Sequence, residues 1–172
     1  PTVGREIDPD ALAEEIVRGA APETEGLTLS GGEPVQALYS VIQLMRAIKR
    51  RAPAWSLGMF SGYTIDEIQR LRIHISDLPE QPKPEGPPYP ASMKAQLTWE
   101  LLQRLDFAVL GRYDRTRPVQ PLDARPELRM CSSSNQRLVL FGRRYAYDDF
   151  EPLSFEFSIS DAGLVQVTGF PL

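Results

Sequence analysis

Apolar residues return along this chain with two alternating spacings. Leu12, Ile16, Val17 and Ala20 recur every third or fourth position, the period of one helix face. Asp8 followed by Pro9 supplies an N-cap and a proline at the first helical position, so a first helix runs from there to near Pro22. Gly26 to Leu29 is apolar, too short for a helix and bounded by turn residues, which predicts a buried strand. Val35, Leu38, Ile42, Met45 and Ile48 then form the inner stripe of a second helix, from Pro34 to about Arg51. Trp55 to Phe60 predicts the next buried strand. The hydroxyl of Thr64 and the acid of Glu67 are spaced for a capping box, so a third helix starts straight after Gly62 and Tyr63.

The alternation continues beyond a proline-rich stretch. Residues 79–92 are too rich in proline for a helix or a central strand and read as a surface loop inserted into the domain. A helix from Gln96 to Leu105 and a strand from Phe107 to Leu110 follow it. After Arg112 the pattern lapses, then resumes with a strand from Arg137 to Phe141. Two short strands, Phe155 to Ile159 and Leu164 to Thr168, flank Asp161-Ala162-Gly163 and predict a C-terminal hairpin within residues 150–172. Repeated strand and helix units imply α/β architecture with a parallel sheet, in one domain spanning 1–172. In such folds ligands sit beyond the carboxyl ends of the strands. The candidate loops are therefore Ser30 to Pro34, Ser61 to Thr64, and Gly111 onward.

Composition narrows the chemistry. The 172 residues carry a formal charge of -4 and no long run of Lys or Arg. This argues against nucleic acid or an anionic membrane surface as partner. No apolar stretch approaches a membrane span and the opening residues lack a secretory signal pattern, so a cytoplasmic location is expected. Cys131 is the sole cysteine, so this sequence builds neither an intrachain disulfide nor a multi-thiolate metal site. His74 is the sole histidine and reads as a surface or packing residue, Asp106 as an aligner of its strand, and Trp55 and Trp99 as core anchors.

The stretch Gly26-Leu-Thr-Leu-Ser-Gly-Gly-Glu-Pro34 holds the most informative chemistry. Two adjacent glycines leave main chain bare at a strand end, and Glu33 adds one negative charge. Such a loop suits a cationic amine and repels a phosphate. A tight strand-to-helix turn without a ligand fits the same residues. The string also differs from the signature of ATP-binding cassettes only in its last residue, Glu33, but no phosphate-cradling G-x-x-x-x-G-K-[ST] loop accompanies it.

Three further stretches come after it in order: Phe60-Ser-Gly-Tyr-Thr64 with Glu67, Asp106-Phe-Ala-Val-Leu-Gly-Arg-Tyr-Asp114, and Ser133-Ser-Asn-Gln-Arg-Leu138. Together the four resemble the radical S-adenosylmethionine proteins, in particular the small activating enzymes of anaerobic ribonucleotide reductase and other glycyl radical enzymes. The resemblance implies a partial (βα) barrel lacking its first strand. It implies that Ser30, Gly31, Gly32, Glu33 and Pro34 bind the methionine amine of S-adenosylmethionine, with Ser61 and Tyr63 beside the same cofactor and Asn135 and Gln136 as candidates to close the site. It also implies reductive cleavage to a 5′-deoxyadenosyl radical, a glycyl radical enzyme as partner, and an electron donor such as flavodoxin or ferredoxin.

In that family a 4Fe-4S cluster held by a Cys-x3-Cys-x2-Cys loop supplies the electron, and that loop is absent from this sequence. Two expectations arise. In one, the cluster loop and first strand lie upstream of Pro1, which is favoured because Pro1 to Pro9 resembles the family's segment immediately after that loop. In the other, the protein is a cluster-less module of the same fold that binds S-adenosylmethionine or a protein partner. In the first case, a chain that truly lacks the first strand in solution would be left with an unpaired sheet edge at Gly26 to Leu29.

Overall fold

A computed structural model describes residues 7–78, 90–120, 125–150, 156–159 and 165–168. The proline-rich segment 79–89, the turn Asp161-Ala162-Gly163 and the chain's first six and last four residues lie outside them. Helix α1 (Pro9–Gly19) begins as its residues require: the Asp8 side chain accepts the Ala11 N–H and Pro9 occupies the first turn. It is followed by β1 (Gly26–Leu29), α2 (Leu38–Arg51), β2 (Ser56–Ser61), α3 (Ile65–Gln69), α4 (Pro90–Arg104) and β3 (Phe107–Leu110). The chain continues through β4 (Arg137–Leu140) to β5 (Glu156–Ile159) and β6 (Val165–Thr168), which pair antiparallel as the expected hairpin.

Strands β1 to β4 form one sheet in sequence order. β1, β2 and β3 are parallel, in register Leu27 opposite Leu57 and Met59 opposite Ala108, while β4 runs antiparallel to β3. β1 and β4 are its edges among the described residues. The expected burial of Gly26 to Leu29 is therefore corrected: Thr28 is exposed and its neighbours are only partly covered, because β1 has a strand on one side alone. Helix α4 also starts earlier than expected, at Pro90. A proline costs nothing in the first turn, where its missing N–H would have no partner.

The helices pack on one face of the sheet. Val35, Leu38, Ile42, Met45 and Ile48, the expected stripe of α2 and the turn leading into it, are all fully buried there with Leu57 and Met59 of β2, Leu101 of α4 and Ile68 of α3. Each such side chain contributes about 1.5–3 kcal/mol relative to exposure. Side chains alternate across a strand, so Ala108 and Leu110 of β3 join this core while Phe107 and Val109 face the other way. On that second face Phe107 meets Tyr145 and Phe150 edge-on, with ring centroids 5.8 and 5.1 Å away. The Phe107 ring lies directly over Gly58, where a Cβ would come within 2.2 Å of it. Of the two tryptophans, Trp55 packs against the helix-side core, but Trp99 is 64% exposed and anchors nothing there. Asp106 does align the strands, its carboxylate accepting the Leu57 N–H at 2.8 Å.

Candidate functional site

The carboxyl ends of β1, β2 and β3 bring the candidate loops side by side. After β1 the chain turns through Gly31 and Gly32, at φ +84° and +57°, values that side-chain-bearing residues rarely adopt. Ser30, Gly31 and Gly32 are exposed, and among the described residues nothing beyond their chain neighbours lies within 4 Å of where either glycine's Cβ would be. Pro34 and Val35 are buried and seat the turn against the core. The turn closes by hydrogen bonds from the Gln36 N–H to the Glu33 carbonyl and from the Ala37 N–H to the Pro34 carbonyl.

Glu33 points sideways, toward the end of β2. Its Oε1 accepts the Val35 N–H at 3.0 Å and the Ser61 hydroxyl at 2.7 Å, and its Oε2 accepts the Gly62 N–H at 2.8 Å. A carboxylate offers about four acceptor positions, so three donors leave it one. A Cβ at residue 62 would sit 3.2 Å from Oε2, which is why glycine suits that position. The Ser61 oxygen in turn accepts the Tyr63 N–H at 3.1 Å. Glu33 thus clamps two loops together at the rim of an open space.

Tyr63 and Asn135 stand further along the same rim. The Tyr63 hydroxyl accepts the His74 N–H, and the Arg112 guanidinium lies 5.6 Å from its ring centre. Arg112 also binds both carboxylate oxygens of Glu67 at 3.1 Å. Glu67 completes the expected capping box with Thr64, and hydrogen bonds from Thr64 and then Arg112 hold its acid below the ordinary carboxylate range against the opposing effect of burial. The Asn135 amide donates to the Arg112 carbonyl at 2.5 Å, and its buried Oδ1 has no partner among the described residues. Gln136, a candidate for closing the site, instead bonds the Gly111 carbonyl and the Ser132 and Ser133 amides, a structural brace of its own turn. The structure therefore joins Ser61 directly to Glu33 and reaches Asn135 only through Arg112. Sequence reasoning misses the Arg112–Glu67 pair as part of the site, although the capping box locates Glu67 and the strand end locates Arg112.

Metal ligation finds no support among these residues. Cys131 is fully buried and burial pushes its thiol up to about 11, far from the thiolate that a cluster iron needs. Among the described residues no three His, Cys, Asp or Glu side chains gather to hold a metal. The residues of this sequence do not fit a 4Fe-4S cluster. Among the described residues, too, no helix is long and apolar enough to cross a membrane.

A family model described as a 4Fe-4S single cluster domain matches residues 1–139. The anaerobic ribonucleoside-triphosphate reductase-activating protein of Escherichia coli strain K12 is 29% identical over 56 residues, 31% of this chain and 36% of that protein. Its counterpart in Escherichia coli O157:H7 matches over the same extent. The match thus spans about a third of the length of these relatives, and no solved structure matches the chain.

Proposed function

The chain belongs to the family of 4Fe-4S single cluster domains, and from that premise we propose that it binds S-adenosylmethionine beyond the carboxyl end of β1, as part of a protein that activates a glycyl radical enzyme such as an anaerobic ribonucleotide reductase. The observation that carries this reading is the open, positive-φ turn at Gly31-Gly32 held beside the Glu33 carboxylate. The methionine amine is a cation with hydrogen-bond donors. Bare main-chain carbonyls and the acceptor position left on Glu33 complement it, and Ser61 and Gly62 keep that carboxylate from turning away. The exposed glycines let the ligand approach without meeting a side chain. Helix packing on one face of a parallel β1-β2-β3 unit supports the partial (βα) barrel reading of the fold.

In a complete activating protein the cluster supplies the electron for cleaving S-adenosylmethionine. No thiolate set for it exists in this sequence, so no step of that cleavage is assigned to these residues. Their part is to bind and orient. Titration of S-adenosylmethionine into the protein by calorimetry tests this. Glu33→Gln puts an amide donor or a weaker acceptor opposite Gly62 and Ser61, and is expected to weaken binding about tenfold or more. Equal affinity removes Glu33 from the site, and no binding by the unaltered protein overturns the proposal.

A second reading, with which the lone buried Cys131 is equally compatible, is a cluster-less module that binds S-adenosylmethionine or a partner without redox chemistry. Anaerobic reconstitution of this chain with iron and sulfide is expected to give no cluster absorption. A stoichiometric cluster would sink that second reading.

A further inference from the structure

At the opposite end of the sheet from the glycine turn lies a groove of about 900 Å³, wide open to solvent. The last turns of α2 and α4, the start of β3 and the turn after β4 bound it. Leu102, Leu140 and Phe141, each partly exposed, supply its apolar surface. Its charge runs against that of the whole chain. Lys49, Arg104, Arg143 and Arg144 line it with a single acid, Asp106, in a protein of net charge -4. The Asp106 carboxylate already accepts the Leu57 N–H, Lys49 donates to the Trp55 carbonyl, and Arg104 pairs with Glu100 at 2.6 Å. Arg143 and Arg144 are exposed and form no ion pair with any described residue. Arg144 rests instead on the Tyr145 ring, 5.7 Å from its centre, which holds its guanidinium in place.

Trp99 extends this surface. It is 64% exposed and lies on α4 three and four positions before Leu102 and Gln103 of the groove, so the three share a helix face. Tryptophan and arginine are the residue types enriched among interface anchors. A small molecule needs a concavity that buries most of its surface, whereas an open groove of mixed apolar and cationic lining fits a length of polypeptide. We propose that this end of the sheet is a docking surface for an acidic segment of a partner protein, whose carboxylates meet Arg143 and Arg144 while an apolar side chain covers Leu102 and Phe141 next to Trp99. Docking there leaves the glycine turn at the other end uncovered.

Tryptophan emission of the full chain reads the test directly, because Trp55 is packed on the core and Trp99 is the solvent-facing fluorophore. The probe is a synthetic peptide alternating glutamate and leucine, with the lysine and leucine peptide as control. Expected is a saturable blue shift with the acidic peptide, absent with the basic one, abolished in Trp99→Phe and retained in Trp55→Phe. R143E/R144E is expected to fold as the parent by circular dichroism and to bind about tenfold more weakly, with the parent's affinity falling as salt rises. No saturable shift, equal affinity of the charge-reversed variant, or equal binding of the basic peptide overturns the proposal. A concentration-dependent blue shift without peptide, marking a second copy of the chain on this face, overturns it as well.

Discussion

At the start of β2 the Asp106 carboxylate accepts the Leu57 N–H at 2.8 Å, and at its end the Glu33 carboxylate accepts the Ser61 hydroxyl and the Gly62 N–H at 2.7 and 2.8 Å. Both acids reach sideways from a neighbouring segment to the same strand. Their surroundings differ. Asp106 is knitted into the sheet: its N–H donates to the Leu57 carbonyl and its carbonyl accepts the Phe141 N–H, so its backbone and side chain both serve strand pairing. Glu33 sits after two exposed glycines with open space beyond them and keeps one acceptor position unused. Similar side-chain chemistry therefore fastens both ends of β2, with Asp106 bordering the cationic groove and Glu33 bordering the exposed glycine turn. A hydrogen-bonded carboxylate is not evidence of a binding site until the space next to it is known.

That contrast can be broken by substitution. The largest effect is expected from Asp106→Ala, which leaves the buried Leu57 N–H without an acceptor and is expected to cost about 2 kcal/mol, read as a lower urea midpoint. The folded variant should still bind S-adenosylmethionine as the parent does. Glu33→Gln should reverse the ranking, with the smaller loss of stability and the larger loss of affinity. If the two variants lose stability and affinity in the same proportion, the two ends are not functionally distinct.

The smallest effect concerns the rim of the candidate site. Glu67 has its acid held low by Thr64 and Arg112, so its contribution to stability is fully present above the ordinary glutamate value of about 4.3 and is lost as pH falls through its lower folded-state value. The difference in melting temperature between the parent and Glu67→Gln should accordingly shrink on acidification below that range. A difference independent of pH would mean that the Arg112–Glu67 pair and the capping box add nothing electrostatic to the rim.

Much of this fold was legible because local rules and tertiary packing agree. The five-residue stripe from Val35 to Ile48 is buried throughout, Thr64 and Glu67 form their capping box, and β3 occupies Phe107–Leu110 as expected. The hairpin pairing of β5 with β6 followed from two short apolar runs around a turn. The glycine turn was legible too, since positive φ at Gly31 and Gly32 is what paired glycines permit. Other features depend on neighbours remote in sequence. The exposure of Trp99 is set by what α4 fails to pack against, because helical periodicity alone does not say where its stripe ends.

The amino-acid order alone determined most of the helices and strands, that two glycines and an acid come after β1, and that one cysteine is the sole thiol in this sequence. Only the folded arrangement decided that Glu33 turns toward Ser61 and Gly62, that β4 runs antiparallel, and that Arg143 and Arg144 border a groove with Leu102 of α4. Turn chemistry and periodicity are properties of adjacent residues, and a sequence carries them directly. The direction of a carboxylate depends on donors 28 and 29 positions away, and those come within reach only once parallel strands have aligned their ends.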